Sequence, residues 1–585
     1  MNNRRSRICM TSAVFALFAG ISPFEVPAEE RNSEESLVAI SGVETFIAES
    51  VGDNGGTGET VYGDDDNFVR LRNRFYLDTR ARGFDSALRF DATLFHLPPE
   101  RVAKEAFVPG GEGYTTLNYD NDFRLEHLHG SMTVGHLKLT LGDFYVNFGR
   151  GAALSLIKID DLDEDNQLRG VRLDYKIPRR LSLTLVGGVV NAVNLDPITR
   201  QVFEDDPLDR IVGVRSAWEL LDVFNLGVHG VIVKPRYTDW EQIPLSRRFV
   251  DRSPGIQIMT GGGFLEAHLE GIHAYFEGNA QAHENFRVID ASPKEETGTA
   301  LFGEVSYDLP PFGLKAEGIY YRKWLMEGPY RGVGDTAYGL DPLVYNHMVT
   351  LEPAFVPIKS MGNVFGGRLG GNVYLDSAET DVSLKVSALR YEGGLLPNGV
   401  WQDHPETTAV HTIVELNKTF RDPAVRMHVE GGGRFETTRR PEIEGVDSGY
   451  LWHLKSDVTV PIKGVHSIEM AAEVRRHALD ITEGNRYYVT LSSLGYRMAG
   501  IFDVTFAHEY SNEVVGGQRR LGNMKWLAPP NFAWAMGTLY LSGFLEGLSL
   551  RGVIGSQRGG IKCAGGICRQ YPDTVGAKLE INLKF

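Results

Sequence analysis

From Val575 to the final Phe585 apolar and polar residues alternate: Val575, Ala577, Leu579, Ile581, Leu583 and Phe585 take one set of positions, Lys578, Glu580, Asn582 and Lys584 the other. A period of two describes a strand with one apolar and one polar face. The same rhythm runs back through the chain and predicts strands near 37–49, 67–81, 86–96, 122–134, 137–148, 168–177, 180–190, 209–218, 224–234, 255–266, 270–280 and 298–308. It continues near 313–323, 363–375, 380–391, 406–418, 424–435, 448–460, 464–476, 485–494, 498–509, 528–541, 546–555 and 574–585. The connections alternate in length. Gly83 to Asp85, Gly135-His136 and Lys463-Gly464 are short, whereas Val51 to Asp66, Leu97 to Asn121 and Trp324 to Gly362 are long. Even strand number, short turns at one end and long loops at the other describe an all-β, transmembrane up-and-down antiparallel β-barrel. The expected count is about 24, within a range of 20 to 26, with short periplasmic turns and long outer loops.

The strand at 67–81 shows what each face carries. Val69, Leu71, Phe75 and Leu77 share one parity, while Arg70, Arg72, Arg74 and Arg80 share the other. An Arg facing lipid at the midplane costs about 2–4 kcal/mol, so the arginines are expected to line the pore. Arg89 and Asp91 follow on the lumenal parity of the next strand. Two uses fit this ladder: a selectivity stripe for an anionic solute, or a salt-bridge network that stiffens a wide barrel.

Two internal stretches stand apart. In Gly142-Asp143-Phe144-Tyr145-Val146-Asn147-Phe148-Gly149-Arg150-Gly151 the apolar parity changes, from Leu137, Leu139 and Leu141 to Phe144, Val146 and Phe148. A β-bulge at Gly142 would produce that change, and Gly149 and Gly151 would let the chain bend. The segment then reads either as a constriction loop carrying Asp143, Tyr145 and Arg150 into the lumen, or as a rim turn with Tyr145 in an aromatic girdle. Near the other end, Arg558 to Arg569 holds Cys563 and Cys568. A two-residue turn at Gly565-Gly566 would place the cysteines opposite each other, at a spacing a disulfide accepts. Export to an oxidising compartment favours that bond.

These stretches, GDFYVNFGRG and RGGIKCAGGICR, together with the closing strand, resemble a family of large bacterial outer-membrane β-barrels of uncharacterised function. The resemblance spans nearly the whole mature chain and implies the barrel fold. In such barrels a terminal aromatic, here Phe585, acts as the assembly signal read by the barrel assembly machinery.

The first residues agree with export. Arg4, Arg5 and Arg7 precede an apolar run from Ile8 to Ile21, and Val26-Pro27-Ala28 offers a cleavage site, so 1–28 reads as a signal peptide and 29–585 as one barrel domain. Nothing ahead of Leu37 has the length expected of a plug domain. Cleavage after Ala28 removes three Arg and one Glu and takes the formal charge from -16 to -18, which argues against nucleic acid as a partner. No stretch reaches the roughly 18 apolar residues of a membrane helix. The 66 glycines and 10% aromatics suit a barrel.

No linear catalytic motif is present, and the protein is read as a non-enzyme without cofactor or metal. Asp161, Asp163 and Asp165 begin like a calcium loop, but Asn166 and Arg172 occupy its Gly and Glu positions. Such loop carboxylates could still hold cations among lipopolysaccharide phosphates. His127 and His129 share a strand face without a third ligand. The function expected is a porin-like outer-membrane channel for passive passage or export of a solute, with Trp324 to Gly362 as the gate. The alternative is a non-conducting binding or assembly module acting through its long loops. Expected partners are outer-membrane lipid and lipopolysaccharide.

Overall fold

In the computed structural model the described residues are 38–52, 68–96, 103–108, 111–116, 121–159, 164–192, 209–221, 223–234, 250–252, 257–284, 286–288, 295–324, 330–331, 345–346, 349–351, 362–375, 379–395, 401–422, 424–439, 446–478, 486–512, 514–515, 518–519, 531–541, 545–558, 560–564, 567–571 and 574–585. Among them twenty-four strands follow one another around a closed antiparallel sheet. They are β1 (Val38–Val51), β2 (Phe68–Ala81), β3 (Phe84–His96), β4 (Asp122–Val134), β5 (Leu137–Phe144), β6 (Glu164–Ile177), β7 (Leu181–Ala192) and β8 (Arg210–Leu220). Next come β9 (Phe224–Lys234), β10 (Ile258–Leu269), β11 (Ile272–Glu284), β12 (Glu295–Leu309), β13 (Phe312–Arg322), β14 (Val364–Leu375), β15 (Thr380–Leu395) and β16 (Trp401–Thr419). The last are β17 (Arg426–Arg439), β18 (Val446–Pro461), β19 (His466–Ala478), β20 (Tyr487–Met498), β21 (Phe502–Ser511), β22 (Asn531–Tyr540), β23 (Leu548–Gln557) and β24 (Thr574–Lys584).

Each strand pairs with its sequence neighbours, and β24 returns to β1 in a register running from Val43 opposite Lys584 to Val51 opposite Gly576. Phe585 extends the seam: its N–H donates to the Gly42 carbonyl at 3.0 Å and its carbonyl accepts from the Gly42 N–H at 2.8 Å. A closed sheet has no edge, so each strand's backbone groups find partners without water.

The wall is apolar outside. In β8 Val212 and Val214 are exposed while Ile211 and Ala217 are buried; in β14 Phe365 and Leu369 are exposed while Val364 is buried. Leu494 of β20, Phe506 of β21 and Ile554 of β23 are likewise exposed. Side chains of this size exposed on successive strands make a hydrocarbon-facing belt. The opposite parity carries the charges: Glu304, Lys315, Glu317 and Arg368 form one ion-paired row across β12–β14.

Strand ends differ from expectation by a few residues, as at Trp401–Thr419 and Tyr487–Met498, and one such difference changes the reading of a segment. The strand expected over 137–148 ends at Phe144. Its pairing with β6 is regular from Leu137 to Phe144, so no bulge occurs at Gly142. The register shift lies instead between β3 and β4, where Arg89 faces His127 and Phe90 faces Leu125, leaving Glu126 as the extra residue. The apolar parity changes for another reason: Leu137 and Leu141 face outward, whereas Phe144, Val146 and Phe148 are buried on the lumenal side. Gly142, at φ 102°, takes a backbone that L residues rarely adopt, and a Cβ there would meet the Leu128 carbonyl.

Candidate functional site

Beyond β5 the chain leaves the wall and forms a small hairpin, Val146–Phe148 against Leu154–Leu156. Its apolar side chains pack on the inner faces of β6 to β10, through Leu168, Val186, Ile211, Val231, Val233 and Ile258. An apolar patch on a lumenal wall would be costly in water, and the hairpin covers it. Gly213 of β8 makes the fit: a Cβ there would sit 2.8 Å from the Phe148 ring.

The tip of the hairpin is fastened by polar contacts. The Arg150 N–H donates to Glu277 Oε2 at 2.7 Å, and the Arg150 guanidinium lies 4.5 Å over the Tyr275 ring. Glu277, on β11, also accepts from Tyr275 Oη at 2.6 Å and Asn279 Nδ2 at 2.9 Å. Three donors to one buried carboxylate make a strong anchor. A second inward segment meets the hairpin, where Ser155 N–H donates to the Tyr345 carbonyl at 2.7 Å. Tyr345 is fully buried and donates its hydroxyl to Asp209 at 2.9 Å. Trp324 and Leu351 bury in an adjoining cluster with Tyr321, Val364 and Tyr391. Tyr338 and Phe355 of the expected gate lie outside the described residues, as does the Tyr330 side chain.

The arginine ladder stands beside this arc, on β2 and β3, with β4 and β5 between it and β6. Arg72, Arg74 and Arg89 converge on Asp91, at 2.9, 3.0 and 2.8 Å. Arg89 also reaches Asp165 at 2.8 Å. Arg70 pairs with Glu49 of β1, and Arg80, largely exposed, pairs with Asp78 at 3.1 Å. Arg70, Arg72, Arg89 and Asp91 are buried. On the lumenal side of the wall, their charges therefore balance one another more than they meet the open lumen.

Asp165 links ladder and hairpin. It accepts from Tyr145 Oη at 2.7 Å and Gln167 Nε2 at 2.8 Å as well as from Arg89. Asp143, fully buried, accepts from Arg169 at 2.8 Å and from the Leu128 N–H at 2.8 Å. Asp161 and Asp163 lie outside the described residues. His127 and His129 are bonded to each other at 2.8 Å, and His127 also contacts Gln167.

A recess of about 310 Å³ opens on the lumenal side of the seam. Arg70, Arg72, Arg551 and Lys578 line it against Glu49 and Glu580, with Trp534 at one side. Four cationic groups face two carboxylates there.

At the other end Cys563 and Cys568 are register partners, with Ala564 opposite Ile567, in a hairpin formed by Gly560–Ala564 and Ile567–Tyr571. Their side chains lie outside what is described. Tyr330–Arg331 adds to this hairpin in parallel, opposite Cys568 and Arg569. Phe585 stacks on Phe75, with ring centroids 6.2 Å apart.

No known family and no curated protein matches the chain. Similar solved structures include the siderophore receptor PirA from Pseudomonas aeruginosa, at 9% identity and TM-score 0.47, covering 93% of this chain and 80% of that one. The P pilus usher PapC translocation pore follows at 10% identity and TM-score 0.40, covering 94% and 99%. The copper transporter OprC stands at 10% and 0.45, covering 95% and 82%. The fold is a closed β-barrel of twenty-four strands. At these identities the likeness concerns the fold alone.

Glu277, Tyr275 and Asp209 were not legible as site residues in the sequence. Nothing local marks them, since each acts on a segment more than a hundred residues away.

Proposed function

We propose that the protein is an outer-membrane channel for a small polar solute, its lumen narrowed by the hairpin at 146–156 and the segment around Tyr345. One observation carries this reading: the hairpin is apolar, packs against the inner wall, and is anchored at its tip to Glu277. Such a segment blocks part of a lumen and leaves the rest lined by charged side chains. With Arg72 taken up by Asp91, three cationic groups still face two carboxylates in the seam recess, which gives the channel a mild anion preference. In this reading Arg72 and Arg89 hold the wall, while Lys578 and Arg551 meet the solute.

Single-channel conductance in a planar bilayer tests the proposal. The intact protein should conduct weakly, and replacing residues 146–156 by a short Gly-Ser linker should raise conductance several-fold. Lys578→Glu should shift the reversal potential towards cations, because the Lys578 side chain is partly exposed. A folded barrel that stays silent with and without the hairpin would remove conduction and favour binding through the long loops.

A further inference from the structure

A cluster of three donor side chains sits on the hairpin of β10 and β11, far along the wall from the ladder. Its residues read Glu266-Ala267-His268-Leu269-Glu270-Gly271-Ile272-His273. The turn at Glu270-Gly271 makes His268 and His273 register partners. Glu266, His268 and His273 share the parity of the buried Phe264 and Tyr275, so all three project to the lumenal side at the short-turn mouth.

The geometry points to a binding site for a borderline divalent transition-metal ion, held by Glu266, His268 and His273. Glu266 Oε1 lies 3.1 Å from His273 Nε2 and 3.4 Å from His268 Nε2. An ion with bonds of about 2.0–2.1 Å to tetrahedral ligands has ligand-to-ligand edges of roughly 3.3 Å. One ligand atom from each residue fits within 4.8 Å of the others. Two imidazoles and one carboxylate suit Zn²⁺, Co²⁺, Ni²⁺ or Cu²⁺, and disfavour Ca²⁺ and Mg²⁺, which take oxygen ligands.

The surroundings support the same assignment. His273 Nδ1 faces Glu304 Oε1 at 3.8 Å, a carboxylate behind a ligating histidine, and Lys315 holds that carboxylate at 3.3 Å. Such an outer partner fixes the ring and raises its basicity. Asn225 donates to the second Glu266 oxygen at 3.3 Å, leaving Oε1 for the ion. The exposed side chain of His268 gives entry from the mouth. The His127 and His129 pair offers no comparable opening, because ring nitrogens there already face each other and Gln167.

Full-length protein folded in detergent, purified without a polyhistidine tag and stripped with a chelator, is titrated with Co²⁺ and then with Zn²⁺ against a chromophoric chelator. One equivalent of Co²⁺ should give visible ligand-field bands that Zn²⁺ abolishes. Both His268→Asn and His273→Asn should weaken Zn²⁺ roughly tenfold or more. Heat-modifiable migration reports folding of each variant. Should Glu266→Gln fail to fold, the exposed His268→Asn still reads the site. No cobalt bands, or affinity unchanged in the double histidine variant, would overturn the assignment: the imidazoles would then be only hydrogen-bond partners of the carboxylate. The readout does not depend on conduction, so failure of the channel proposal leaves this one standing.

Discussion

At the scale of single residues, Asp91 holds three guanidiniums and should be the costliest carboxylate of the wall to remove. Breaking a buried pair leaves uncompensated charge, at about 3–5 kcal/mol, and here Arg72 and Arg89 are both buried. Asp78, by contrast, partners the exposed Arg80, and such pairs contribute about 0–1 kcal/mol. Asp91→Ala should therefore lower the unfolding midpoint of the detergent-folded protein sharply, with Asp78→Ala nearly unchanged. Equal losses would mean that the ladder does not stiffen the wall. The parity of these arginines was legible from the sequence, because a strand alternates its faces. Their partner Asp165 was not, since it reaches Arg89 only after the chain has left and rejoined the wall.

At the scale of elements, the strands were legible because lipid on one side and charge on the other force a period of two. The hairpin at 146–156 carries a different rule. Its apolar residues pack against the inner wall instead of facing lipid, so the parity change is real while its reading as a bulge is not. A sequence records which positions are apolar, not which side is apolar. The cysteine hairpin was easier, because a two-residue turn fixes register locally. Cys563 and Cys568 sit opposite each other, and the expected disulfide is open to test. In protein from outer membranes, the peptide carrying both cysteines should resist alkylation until a reductant is added. Alkylation without reductant would show free thiols. The bond would close a loop of only six residues, so its contribution to stability is small and it would serve to pin a loop hairpin.

At the scale of the whole molecule, closure is the decisive event, and it takes place between the first and last strands. The seam has nine register pairs between β1 and β24, and Phe585 adds two backbone hydrogen bonds to Gly42 and a stacking contact with Phe75. Each of these contacts contributes about 1 kcal/mol, so deleting Phe585 should alter the equilibrium stability of refolded protein by only about 1–3 kcal/mol. Assembly in the cell poses another question, because the terminal aromatic is exposed on the outer surface, where a folding machine could grip it. If Phe585 is the assembly signal, its deletion should cut the heat-modifiable, folded fraction in outer membranes many-fold while refolding in detergent proceeds almost as before. Comparing the two yields for the intact and truncated chains separates recognition from stability. Parallel losses in both settings would assign Phe585 to the seam alone, and the signal would have to lie elsewhere in β24.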